Sequence, residues 1–123
     1  MQRRDSLRLA ISPALPCSCF IRPIDALSES RFAIVDIGYG GLGLLGFSPD
    51  LDLQAGQILR GCRIELAHFG IFHCDLSIGS QSELILKNGI KTIRTGAQFT
   101  HLNSQAKNLL QRFIFSLETQ QNL

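Results

Sequence analysis

Tryptophan is absent from this 123-residue chain, tyrosine and methionine occur once each, and charged residues make up only 18%. Each scarcity removes a class of function. Proteins that bind single-stranded nucleic acid stack bases on exposed aromatics along a basic groove. With Tyr39 alone and a formal net charge of +2, that class is disfavoured, as is general nucleic-acid binding. No apolar run approaches the length of a membrane span, so insertion into a membrane is not expected. The charged start does not read as a signal peptide. The four cysteines, Cys17, Cys19, Cys62 and Cys74, contain no CxxC pair and no metal-ligand spacing with His68, His73 or His101. They read as small buried hydrophobes in a reducing compartment, the cytoplasm. No serine or cysteine sits on a nucleophile turn and the histidines have no triad spacing, so no enzyme and no cofactor is expected.

What is present fits one globular domain: hydrophobic residues reach 45%, enough for a single core. Short β-rich runs fill most of the chain, over 7–11, 17–21, 31–37, 42–47, 57–67 and 69–78. A hairpin over 83–87 and 90–95 turns at Asn88-Gly89, a pair suited to a type I′ turn with positive φ at both positions. A last strand runs over 96–102. Six or seven strands without intervening helices favour an antiparallel barrel or sandwich. From Asn103, an expected N-cap, the period changes. Ala106, Leu109, Leu110, Phe113, Ile114 and Leu117 recur at helical spacing, which predicts one amphipathic helix. Phe113 lies on its apolar stripe; Phe115 falls off the stripe and is the interface candidate.

Two polar features stand out. Arg3, Arg4 and Arg8 crowd the start with one acid, Asp5, among them, a local cluster suited to an anionic ligand or acidic partner. A guanidinium fork can take guanine O6 and N7, straddle two phosphate oxygens, or stack on a purine. A glycine-dense turn follows, Asp36-Ile37-Gly38-Tyr39-Gly40-Gly41. Gly38, Gly40 and Gly41 can take positive φ and admit a ligand close to the main chain. Asp36 is an acceptor for the N1–H and N–H₂ edge of guanine, or an anchor for an arginine. Gly43, inside the returning strand, marks a bulge or a close backbone approach. Taken singly, each feature also fits a plain basic terminus and a plain tight hairpin.

Together they resemble the PilZ domain, in its YcgR-like flagellar brake branch. Arg4 and Arg8 match the family's RxxxR signature, and Asp36 to Gly41 occupies the place of its [D/N]xSxxG signature. Arg94-Thr95-Gly96-Ala97-Gln98-Phe99 resembles the last barrel strand, and Leu110 to Phe115 the C-terminal helix of that branch. The resemblance covers the whole chain. It implies a six-stranded antiparallel β-barrel with a C-terminal α-helix: a single domain 1–123, with a flexible arginine-bearing segment 1–8, a barrel 9–102 and a helix 103–121. It also implies binding of cyclic di-GMP, with Arg4 and Arg8 on guanine edges and phosphates and Asp36, Gly38 and Gly41 receiving the other side. Ligand would then order the arginine segment and change the surface shown to a partner such as the flagellar motor. Arg3, directly before the signature, implies two stacked ligands per domain. Brake proteins of this branch carry another domain before the PilZ module, so an excised fragment or a small stand-alone version is expected.

Two positions depart from the family. The signature serine is Gly38 here, which removes one hydroxyl worth about 0.5–1.5 kcal/mol and lowers affinity by up to about tenfold. Ser6-Leu7 replace bulkier spacer residues. The alternative is therefore a degenerate barrel that acts as a nucleotide-independent scaffold for protein partners, and the intact arginine pair weighs against it.

Overall fold

Apolar residues at alternate positions of successive strands turn one face of a curving sheet inward. Phe32 and Ile34, then Leu42 and Leu44, then Ile64, Leu76 and Ala97 are all buried. The computed structural model describes residues 7–22, 27–46 and 53–121. Its elements in chain order are β1 (Leu9–Ala10), β2 (Ser18–Ile21), β3 (Ser30–Ile37), β4 (Gly41–Leu45), β5 (Ile58–Leu66), β6 (Gly70–Ile85), β7 (Lys91–His101) and α1 (Ser104–Gln121). Strands β2 to β7 pair antiparallel in the order β3-β2-β5-β6-β7-β4, and β4 returns to β3. That closure makes the expected six-stranded barrel. The two-residue β1 lies outside it, extending the β3 edge with Leu9 opposite Ile37 and Ala10 opposite Asp36.

Two local expectations need correction. The runs 69–78 and 83–87 are one strand: β6 continues through a register shift between Ile78 and Gln81, where Gly79 and Ser80 are passed over. An irregularity of this kind bends a strand without ending it. The second correction concerns Asn88-Gly89. Gly89 has φ 85° while Asn88 is not among the residues with positive φ, so the turn is not type I′. Leu86 accepts from the Gly89 N–H and donates to the Ile90 carbonyl, a three-residue loop of the type I plus glycine-bulge kind. The Asn88 side chain explains the choice, since its Oδ1 accepts from the Ile90 N–H at 3.1 Å.

Helix α1 starts where the capping residue predicts, with Asn103 Oδ1 accepting from the Ala106 N–H at 2.8 Å. Ala106, Leu110, Phe113, Ile114 and Leu117 are buried along its inner stripe. The stripe packs on the helix's own barrel: Phe113 meets Phe69 edge-on at 5.2 Å, and Leu109 lies over Gly70. A fully buried Phe or Leu contributes about 1.5–3 kcal/mol, so this stripe fixes the helix firmly. Phe115 remains 68% exposed.

All four cysteines are buried and none is in a disulfide. Burial raises the Cys74 thiol to about 12, with Cys62 and Asp75 adding to the effect. A hydrogen bond with Cys62, and then burial, push the Cys19 thiol upward. These side chains act as core packing. Among the described residues, no helix is long and apolar enough to cross a membrane.

Candidate functional site

The site begins with a fault in a strand. Strict alternation along β3 would put residue 36 on the inner face with Phe32 and Ile34. The register with β4 instead shifts: Ile34 faces Leu44, but Asp36 faces Gly43, which leaves Val35 as an extra residue. A bulge of this kind re-aims a side chain. Ile37 is thereby returned to the core and the Asp36 carboxylate is placed on the outside of the barrel.

Across from it the outer face is bare. Gly41, Gly43 and Gly96 occupy outward positions of β4 and β7, with Gly41 opposite Gln98 and Gly43 opposite Gly96. Into this space Arg94 reaches from β7. Its Nε and Nη2 both donate to Asp36 Oδ2, at 3.2 and 2.7 Å. A charge-assisted fork of this kind is among the stronger polar contacts. From the other side Arg8 Nη1 approaches Asp36 Oδ1 at 3.6 Å, an ion pair too long to be a hydrogen bond. Oδ1 is accordingly buried with no hydrogen-bond partner. One carboxylate thus lies between two guanidinium groups, with one oxygen hydrogen-bonded and the other held only by the longer ion pair.

Glycine is required here by space. A Cβ on Gly43 would stand 2.6 and 2.8 Å from the Asp36 carboxylate oxygens and 2.7 Å from Arg94 Nη2. At Gly41 it would overlap the Ala97 carbonyl and lie 2.9 Å from Arg8 Nη2. At Gly38 it would overlap the backbone carbonyl of Leu7. The turn closes with the Gly38 N–H donating to the Gly41 carbonyl at 2.8 Å, and the Phe99 N–H donates to Gly40 at 3.0 Å. The positive-φ glycines are Gly46, Gly56, Gly61, Gly70 and Gly89, so none of Gly38, Gly40 and Gly41 takes left-handed backbone, and Gly38 and Gly41 serve close approach. That corrects the conformational reading of the turn.

Of the residues singled out in the sequence, Arg8, Asp36, Gly38 and Gly41 come together at this rim. Arg3 and Arg4 lie outside the described residues. Leu7 and Arg8 are docked against the turn through β1. Sequence reasoning placed Arg94 only as part of a strand motif and missed its contact with Asp36. The usable signal was Gly43, whose missing side chain admits the pair. Separately, an open cleft of about 570 Å³ lies beside the start of α1, lined by Tyr39, His73, Phe99, His101 and Lys107 among others. It shares Tyr39 with the turn. Among the described residues no cluster of His, Cys, Asp or Glu is arranged to hold a metal ion.

With this geometry in hand, known proteins give a consistent comparison. No family model matches the chain. The flagellar brake protein YcgR of Thiobacillus denitrificans is 31% identical over 120 residues, covering 96% of this chain and 47% of the relative. That of Escherichia coli K12 is 32% identical over 123 residues, covering 96% of this chain and 50% of the relative. The chain therefore spans about half the length of these curated relatives. Among solved structures, the PilZ domain with c-di-GMP of YcgR from Escherichia coli superposes with a TM-score of 0.78 at 31% identity. That match covers 97% of this chain and 94% of the other.

Proposed function

The chain belongs to the PilZ domain family, and from that premise we propose that it is a cyclic di-GMP receptor module that couples the second messenger to a partner protein in motility control. Arg8, preceded by Arg3 and Arg4, supplies forks for guanine edges and phosphates. Asp36 takes the N1–H and N–H₂ edge of guanine. Gly38 and Gly41 keep the rim free of side chains so that the nucleotide approaches the main chain. Arg3 adds the capacity for a second, stacked ligand. The observation that carries this reading is the meeting of Arg8 and Asp36, distant in sequence, at 3.6 Å across a glycine-lined rim. It is supported by the c-di-GMP held by the Escherichia coli PilZ domain that this chain resembles over nearly its full length.

The relatives' description as flagellar brakes supports a component of the flagellar motor as that partner, met in the cytoplasm or at the basal body. The module performs no chemistry of its own on this reading. Ligand binding acts by differential contacts, ordering the arginine-bearing segment against the rim and so changing the surface shown to the partner.

A second reading has its own support. With glycine at 38, the Leu7 carbonyl packs where a serine side chain would project, so this segment occupies that part of the rim. A barrel permanently closed in this way would serve as a ligand-independent scaffold for protein partners.

Isothermal titration decides between the two. Cyclic di-GMP should give saturable heat at one or two equivalents, with GTP and cyclic di-AMP giving none. Arg8→Ala should lose most of the binding and Cys17→Ser almost none. Absence of heat with cyclic di-GMP would favour the scaffold.

A further inference from the structure

Arg94 has no part in either signature, yet it makes the shortest polar contact at the rim, 2.7 Å from Nη2 to Asp36 Oδ2. Its second donor, Nε, falls on the same oxygen at 3.2 Å. Both prongs therefore hold Oδ2, and neither holds Oδ1. A carboxylate on a two-torsion side chain would otherwise swing between rotamers and present either oxygen. Held by Arg94, it keeps Oδ1 turned towards Arg8, buried and without a hydrogen bond. An unsatisfied buried acceptor carries a cost that a matching donor relieves. Guanine offers two adjacent N–H donors on one edge; adenine in the same orientation does not.

The surroundings agree. Arg94 stands on the outer face of β7 opposite Leu45, one pair removed from Gly96 and Gly43 along that face, so it reaches Asp36 by crossing over Gly43. Only glycine at 43 leaves that path open, since any Cβ would fall within 2.8 Å of Arg94 Nη2 and both carboxylate oxygens. The bulge at Val35, the bare Gly43 and the fork of Arg94 thus serve one outcome, a fixed orientation of Asp36.

We propose that Arg94 is a positioning residue of the nucleotide site: it commits one oxygen of Asp36 and thereby presents the other as the acceptor that reads guanine. This rests on the cyclic di-GMP reading of the same rim and deepens it. Arg94 acts through Asp36 and needs no contact with ligand.

The test is a double-mutant cycle read by titration calorimetry with cyclic di-GMP, on the wild type, Arg94→Met, Arg94→Lys, Asp36→Ala and the double variant Asp36→Ala/Arg94→Met. Circular dichroism checks the fold of each. Arg94→Met should weaken binding about tenfold or more. Lysine, which keeps the charge but not the fork, should recover part of that loss. In the Asp36→Ala background, Arg94→Met should weaken binding no further. If Arg94→Met itself fails to fold, the double variant, which lacks both charges, still carries the comparison with Asp36→Ala. Binding by Arg94→Met equal to wild type, or a further loss in the double variant, would overturn the positioning role alone. A wild type that gives no heat would instead overturn the receptor reading, and this inference with it.

Discussion

The helix-covered wall and the charged rim belong to one barrel but are held by different physics. Under the helix, Phe113, Leu110, Ile114 and Leu117 are buried almost completely, and Phe113 meets Phe69 at 5.2 Å. Stability there scales with apolar area removed from water. At the rim, three glycines have no side chain to bury and two arginines flank a carboxylate whose side chain is 18% exposed. Partly exposed ion pairs contribute little to stability. The difference teaches that the wall maintains the fold, whereas the rim spends its interactions on geometry. Substitutions should therefore separate the two.

The largest effect is expected at the wall. Phe113→Ala removes a fully buried ring and should cost about 3–5 kcal/mol of unfolding free energy in a denaturant melt. The fraction that remains folded should still bind cyclic di-GMP with wild-type affinity; a parallel loss of affinity would break the comparison. Next comes Gly43→Ala, a rim change that carries a structural cost as well. Its Cβ would press on Asp36 and Arg94 at 2.6–2.8 Å, which should destabilise the domain by about 1–3 kcal/mol. It should also weaken nucleotide binding out of proportion to that loss, measured by calorimetry well below the melting temperature. An unchanged affinity would mean that the Asp36–Arg94 pair has no bearing on the ligand.

Smaller effects sharpen the contrast. Asn103→Ala removes the cap on the Ala106 N–H and should cost about 1 kcal/mol with no change in binding. The smallest effect depends on pH. The Cys74 thiol is raised from 9.0 to about 12 in the fold. Between those values the unfolded chain releases a proton that the folded chain keeps, so stability is full below pH 9 and declines as pH climbs through the folded value. At pH 10 the loss should be about 1 kcal/mol, and Cys74→Ala should flatten that part of the profile. An unaltered slope in the variant would assign the decline to other groups.

The wall was the more legible region. Ala106, Leu110, Phe113 and Leu117 fall at helical spacing, and a helix built on that spacing buries those residues. Short β-rich runs bounded by turn residues likewise located the barrel strands. At the rim, residue types were readable but their relations were not. The bulge at Val35 reverses the alternation that would have turned Asp36 inward, and a one-residue shift leaves no mark in composition. Arg94 joins Asp36 from a strand that is adjacent only after β4 has come between them. The turn glycines are open in sequence both to positive φ and to close approach, whereas Gly38 and Gly41 answer to the nearness of Leu7 and Ala97, which only tertiary packing creates. Asn88-Gly89 gave the hairpin but not its turn type, because the Asn88 side chain bonds to its own loop.

The grip of the arginine-bearing segment and the glycine-lined rim on the nucleotide is tested most directly by amide hydrogen exchange with and without saturating cyclic di-GMP. Added protection should appear together in Arg8 to Ala10, in Asp36 to Gly43 and in Arg94 to Gln98, leaving α1 as slow as before. Protection confined to α1 or to the cleft beside it, with the rim amides exchanging at their ligand-free rates, would contradict the account.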